Sequence, residues 1–298
     1  MEKKKIIFSA RDNHDIISQL KLKLQRNQSF DLISHNPQKD FFDLSEMPHS
    51  FRKADLIIVK VRNECSIDLL HYAKIHNIPT LHNIDTVLIC KNKIALDYAL
   101  RDSFSKNPYL RRYFALPKSW NHNVFNLRAF KKWAKLKLPI VIKSHYQHDK
   151  FNRFNFLVKQ LEDIDKFCKL YENFIYYDIY IQEFIECDGI ERKIYVVGDK
   201  VFGIKRDNPI YIYLRNKPNR IDVDEIERSE FKISTSIKKL SQILANELDL
   251  KIFGFDLIKP IHTKKYYLMD VNDFPGFKGI KNIENILASY LEKYILNL

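Results

Sequence analysis

Three residues near the carboxyl terminus have the types and the spacing to hold a divalent cation. Asp256 interrupts the apolar run Phe253-Gly-Phe-Asp-Leu-Ile258, where a carboxylate is costly to bury unless it is paired or bound to a cation. Asp270 and Asn272 stand two apart in Lys265-Tyr-Tyr-Leu-Met-Asp-Val-Asn272, so in a strand both side chains point to one face. A hairpin joining these runs would let three oxygen donors converge, and oxygen-only ligands with vacant positions suit Mg2+ bridging a nucleotide's phosphates. A hydrogen-bonded structural carboxylate beside a turn-capping asparagine leaves the same pattern, and spacing alone does not separate the two. The next segment, Asp273-Phe-Pro-Gly-Phe-Lys-Gly279, reads as a tight turn before a helix, where backbone N–H groups could meet an anion.

The elements that must position these residues are partly legible. Glu191-Arg-Lys-Ile-Tyr-Val-Val197, Gly198-Asp199 and Lys200-Val-Phe-Gly-Ile-Lys-Arg206 spell a hairpin with a two-residue turn. Pairing 197 with 200 puts Lys193, Tyr195, Phe202, Ile204 and Arg206 on one face. Upstream, strands at Lys5–Ser9, Ala54–Val61 and from Ile78 alternate with helices at 13–26 and Ser66–His76, which predicts a small parallel α/β domain ending near residue 86. Asp85 is expected to cap a helix through Leu100. A central block carries a strand at Leu138–Lys143, a helix at 161–171 and a strand at Asp178–Ile185; 145–155 between them reads as a loop that could fold over a ligand. The third block starts at Asp188-Gly189, with 209–228 loop-like and helices at Ser234–Leu248 and Ile283–Leu298. The expected units are therefore 1–86, 87–187 and 188–298.

Composition narrows the function. The chain of 298 residues holds 50 Lys plus Arg against 37 Asp plus Glu, a net charge of +13. That balance fits either solvated basic faces or an anionic partner. The basic pairs are scattered and form no arm, so small anions are expected over nucleic acid, and a nucleic-acid binder would need a recognition motif that the chain lacks. Only 6 glycines occur, the first at 189, which excludes a Walker A loop, a dinucleotide GxGxxG turn after the first strand and a protein-kinase glycine loop. No apolar run reaches membrane-span length, and the apolar stretch after the basic start is too short for a signal peptide. Four cysteines without CxxC spacing read as thiols of a reducing cytoplasm.

The run Met269-Asp-Val-Asn-Asp-Phe-Pro-Gly-Phe277 closely resembles the C-terminal signature of the ATP-grasp superfamily, in particular its inositol polyphosphate kinase family. The resemblance implies an ATP-grasp fold with an N-terminal Rossmann-like pre-ATP-grasp domain, α/β and α+β in class, and a monomer in the cytoplasm. It implies phosphoryl transfer from MgATP, with two Mg2+ ions, to a hydroxyl of an inositol polyphosphate. By that likeness Asp256, Asp270 and Asn272 are metal ligands, with Asp270, Lys193 and Arg206 catalytic. Lys143, Lys91 and Lys93 fall where ATP is contacted, and main-chain groups around Gln182, Glu183, Phe184 and Ile185 where adenine is held. Arg192-Lys-Ile-Tyr-Val-Val-Gly198 places Lys193 against both ATP and acceptor, while Lys60, His148, Arg153, Arg206, Asn272 and Gly276 fall where the acceptor binds. His148 matches the first histidine of the family's central loop; Asp149 replaces the glycine after it, and Arg153 stands where a second histidine is expected. An ATP-grasp ligase that makes an acyl phosphate and couples an amine is the alternative. Singly, Lys143 could be a solvated strand end, Lys193 could snorkel, and His145 with His148 fits a loop better than a metal site.

Overall fold

The computed structural model describes residues 3–12, 15–41, 43, 45–60, 64–145, 154–216 and 221–298. Apolar runs flanked by helices build the first layer: β1 (Lys4–Ser9), α1 (Asp15–Arg26), β2 (Phe30–His35), α2 (His49–Arg52), β3 (Leu56–Val59) and α3 (Glu64–Ile75). These strands form a parallel sheet in the order β2-β1-β3. Ile6, Ile7 and Phe8 are fully buried, as expected of a central strand covered on both faces. β2 escapes sequence reading because only Phe30 and His35 in it are buried, which leaves no two-residue period. The strand expected from Ile78 shrinks to a single bridge between Thr80 and Ile57.

The next helix breaks in two, α4 (Ile84–Lys91) and α5 (Lys93–Lys106). Asn92 is extended between them and its side chain accepts from the amides of Ile94 and Ala95. Asn83, rather than the expected Asp85, caps α4 by accepting from the Thr86 amide. α6 (Pro108–Tyr113) and β4 (Phe114–Ala115) follow, and Leu96, Leu100, Phe104, Leu110 and Phe114 share a core with the carboxyl-terminal strands.

The middle sheet is antiparallel, β5-β8-β6-β7, built from β5 (Ser119–His122), α7 (Leu127–Ala134), β6 (Ile140–Lys143), β7 (Asn155–Val158), α8 (Glu162–Leu170) and β8 (Ile179–Glu183). Ile140, Ile142, Ile179 and Ile181 point into its own core, so by alternation Lys143, Tyr180 and Gln182 face the other way.

The third sheet runs β11-β10-β9-β12-β13-β4. It comprises β9 (Cys187–Val197), β10 (Lys200–Asp207), α9 (Pro209–Asn216), β11 (Ser229–Glu230), α10 (Thr235–Glu247), β12 (Ile252–Pro260), β13 (Tyr266–Asp273) and α11 (Ile283–Leu296). The β9–β10 register is the expected one, Val197 opposite Lys200 and Tyr195 opposite Phe202. The segment expected as loop at 209–228 begins with α9, which is half-buried rather than fully buried and whose apolar residues 210–214 run consecutively, giving no helical period. Ile194, Val196, Phe253 and Phe255 pack with α5 and α10, whereas Tyr195, Val197 and Ile204 pack on the opposite side with α11 and residues of β1 and β3. The first layer is docked by buried polar contacts: His82 Nε2 accepts from the amides of Lys251 and Ile252, each at 3.1 Å, and Thr86 donates to Leu248 O at 3.0 Å. Among the described residues no helix is long and apolar enough to cross a membrane.

Candidate active site

The hairpin expected from sequence places Asp256 directly opposite Asp270, and β9 places Lys193 directly opposite Asp256 on its other flank. Three charged side chains therefore lie in a row across three adjacent strands, on one face. Asn272 shares that face two residues along, and its Nδ2 lies 3.4 Å from Asp270 Oδ2. Opposite Asn272 sits Gly254, where a Cβ would come within 3.0 Å of Pro275 Cγ and 3.1 Å of the Ile194 carbonyl. A side chain at 254 would push the Phe-Pro-Gly turn off the strand.

Each carboxylate of the row carries an ammonium. Lys193 Nζ is 2.7 Å from Asp256 Oδ2, and Lys93 Nζ is 2.5 Å from Asp270 Oδ1. Lys93 reaches it because the break at Asn92 turns the chain, sending Lys91 the other way into a buried pair with Asp273 at 2.6 Å. On the far side of Lys193 stands Glu191, 3.6 Å from its Nζ and 2.6 Å from Arg206 Nε. Burial pushes the Asp256 carboxyl up, and Glu191 and Asp270 add to that against the opposing Lys193. Burial also works against ionised Lys193, but Asp256 and Glu191 outweigh it and hold its ammonium above the ordinary lysine range. For Glu191 the cations win over burial, and its carboxyl lies below the ordinary range.

Across the cleft, Lys143 ends β6 with its Nζ 2.5 Å from Gln182 Oε1. Burial first, then Lys93, lowers its pKa to about 8, against the pull of Asp270, Asp256 and Glu191. The middle sheet's lysine thus shares a field with the third sheet's acidic row. The two sheets are also tied directly, since the Lys93 amide donates to the His145 carbonyl at 3.2 Å. At the hinge, the amides of Glu183 and Phe184 donate to Lys118 O and Pro139 O, and Gln182 Nε2 donates to the Tyr180 hydroxyl at 3.0 Å. Ile185, just past β8, takes no such main-chain bond among the described residues.

The Phe-Pro-Gly turn departs from ordinary backbone. Phe274 and Phe277 hold φ of 39° and 52°, a left-handed region that bulky residues rarely enter, and both are buried. Lys60, following β3, clamps this turn: its Nζ donates to Phe274 O at 2.5 Å and Pro275 O at 2.9 Å, and lies 5.0 Å from the Phe274 ring centroid. Gly276 follows in the same turn, partly exposed.

The donor set fits a divalent cation. Two aspartates and an asparagine supply oxygens only, and the ammonium groups on both carboxylates show that the site collects positive charge. Among the described residues no group of three His, Cys, Asp or Glu is placed to hold a metal ion by itself, so phosphate and water oxygens would complete the coordination. The structure brings together Lys93, Lys143, Gln182, Lys193, Arg206, Asp256, Asp270 and Asn272. It places Lys91 on Asp273 and Lys60 on the turn, while His148 and Arg153 lie outside the described residues. Sequence reasoning missed Glu191, although its two-residue offset from Lys193 already put it on the cation-bearing face.

Comparisons with known proteins follow the same lines. Residues 208–293 match the family described as the inositol 1,3,4-trisphosphate 5/6-kinase ATP-grasp domain. Inositol-tetrakisphosphate 1-kinase 2 of Oryza sativa subsp. indica is 29% identical over 130 residues, 37% of this chain and 37% of that protein. Inositol-tetrakisphosphate 1-kinase 1 of Arabidopsis thaliana is 25% identical over 171 residues, 46% of this chain and 53% of that one. The matched region thus spans well under two thirds of these relatives. Among solved structures, a RimK-domain ATP-grasp protein from Sphaerobacter thermophilus superposes with a TM-score of 0.71 at 12% identity, covering 98% of this chain and 99% of that one. D-alanine–D-alanine ligase from Bacillus anthracis gives 0.68 at 14% identity, covering 100% and 97%.

Proposed function

The chain has the ATP-grasp fold, and from that premise we propose that it transfers the γ-phosphoryl group of ATP to a hydroxyl of an inositol polyphosphate. The observation that carries the reading is the row Lys193–Asp256–Asp270 facing Lys143, closed by the Asp-x-Asn-x-Phe-Pro-Gly turn. Asp256, Asp270 and Asn272 would hold Mg2+, which when bound neutralises β- and γ-phosphate charge. The hinge at Glu183–Ile185 receives the adenine. Lys143 and Lys93 come from opposite walls and orient the phosphates between the sheets. Lys193 lies between the aspartate row and Arg206, where it can follow the transferring group from donor toward acceptor. Glu191 bridges Lys193 and Arg206 through one carboxylate oxygen and aims both along the sheet. Catalysis of this kind is positioning and electrostatics, so the lack of a dedicated base among these residues is no obstacle. The likeness to inositol-tetrakisphosphate kinases in the segment bearing the turn supports the acceptor class.

The test is ATP consumption screened against inositol phosphates beside amino-acid and carboxylate panels, with ADP and free phosphate measured separately. A kinase yields ADP and a more highly phosphorylated inositol without free phosphate. Free phosphate released in step with a new amide bond would instead establish an acyl-phosphate ligase.

A further inference from the structure

Arg206 and Arg228 converge on a single oxygen. Arg206 Nη1 donates to the Val223 carbonyl at 3.0 Å and Arg228 Nη2 donates to the same carbonyl at 2.7 Å. Both guanidinium side chains are mostly buried, 10% and 13% exposed. Arg206 also holds Glu191 through its Nε at 2.6 Å, and Arg228 Nη1 donates to Asp224 O and Ile226 O at 2.9 and 2.8 Å, so the Val223 carbonyl is the oxygen that the two guanidiniums share. Two arginines forked on one oxygen is the arrangement that recognises phosphate or carboxylate.

The surroundings repeat the pattern. Asp224, next in the chain, reaches Lys278 Nζ at 2.8 Å and lies 4.0 Å from the Arg228 guanidinium. Lys278 belongs to the turn that follows Asn272, and Arg228 packs against the same turn, within 3.4 Å of where a Cβ on Gly279 would stand. Of the six residues 222–227, Asp222, Asp224, Glu225 and Glu227 are acidic. The segment meets the three cations through the carbonyls of Val223, Asp224 and Ile226 and the Asp224 carboxylate, while Asp222, Glu225 and Glu227 are exposed.

We propose that Arg206, Arg228 and Lys278 form the subsite for an anionic group of the acceptor, and that residues 222–227 are a strap whose Val223 carbonyl and Asp224 carboxylate occupy it as an internal anion mimic. The inference rests on the acceptor being a polyanion, as argued above. A phosphate group of the acceptor replaces the Val223 carbonyl between the two arginines and the Asp224 carboxylate at Lys278. The strap lifts when acceptor binds, and acceptor affinity is reduced by the fraction of chains in which it is closed.

Inositol hexakisphosphate, which has no free hydroxyl to accept phosphate, reports binding without turnover. It is titrated calorimetrically into the full chain and into Asp224→Ala, Arg228→Ala and Arg228→Lys, with hydrogen exchange followed over 221–228. Asp224→Ala should bind it roughly threefold to tenfold more tightly, and Arg228→Lys, which retains charge but loses the fork, roughly tenfold more weakly. Exchange over the strap should accelerate on binding. Comparable thermal melting of Arg228→Lys and the parent chain separates lost binding from lost folding in the alanine variant. Binding that neither Asp224→Ala nor Arg228→Lys alters, with strap exchange unmoved, overturns the strap and leaves the acceptor class standing. No binding by the parent chain or by Asp224→Ala, with MgATP still bound, removes the inositol polyphosphate reading and the subsite with it.

Discussion

Replacing Lys60 with methionine tests whether its ammonium serves the protein or a ligand. The side chain is 7% exposed and donates to two main-chain carbonyls of the left-handed turn, at 2.5 and 2.9 Å. A hydrogen bond from a charged group contributes about 1.5–3 kcal/mol, and both oxygens lose their donor when it goes. Methionine restores the apolar contacts of the stem but neither bond, so the expected loss is about 3 kcal/mol. In a chain of this size that corresponds to a fall in Tm of roughly 5 °C, read by calorimetry without nucleotide or acceptor. Lys74→Met is the control: that lysine is 59% exposed and paired with Asp85, a surface pair whose loss should shift Tm by about 1 °C or less. The turn begins two residues after Asn272, so Lys60→Met should also lower kcat by loosening the end of β13. If Lys60→Met melts with the parent chain and loses only acceptor affinity, the clamp argument fails and the ammonium acts on ligand alone.

Asp270→Asn should abolish metal-dependent turnover in a chain that still folds, with a lowered Tm because the amide oxygen can accept from Lys93 but no longer balances its buried charge; an active variant would dismiss Asp270 as a metal ligand. Lys143, lowered to about 8 by burial and by Lys93, should regain its proton when phosphates arrive, so nucleotide binding at pH 8 takes up protons and weakens as pH rises further. Calorimetry in buffers of differing ionisation enthalpy checks this, and equal uptake in Lys143→Met would contradict it. His82 is held neutral by burial, with a pKa of about 4, while the unfolded chain protonates near 6.5, so the unfolded state binds more protons between those values. Stability should therefore decline by about 3 kcal/mol as pH falls through that window, and a His82→Gln variant with the same acid limb in urea unfolding would show that His82 is not the cause.

Much of the site was legible because strand alternation is local. A two-residue turn at Gly198-Asp199 sets the register of β9 on β10, and that register alone joins Lys193, Tyr195 and Arg206 on one face. Asp270 and Asn272 needed only the strand period. The helix break at Asn92 was not legible, since its side chain competes with the helix for the amides of Ile94 and Ala95 and a continuous apolar pattern hides that competition. α9 was missed because its apolar residues 210–214 run consecutively rather than at helical spacing. The clamp of Lys60 on a turn 214 residues away leaves no local trace at either end.

The order of residues along the chain decided which side chains share a face, where the turns fall and that no glycine loop could cradle phosphate. It could not decide that β9 lies between β10 and β12, which sets Lys193 beside Asp256, or that Lys93 and Lys143 would arrive from different elements. Those neighbours are distant in the sequence, and burial of the shared apolar cores selects them. Periodicity specifies a face; the packing of whole elements specifies what that face meets.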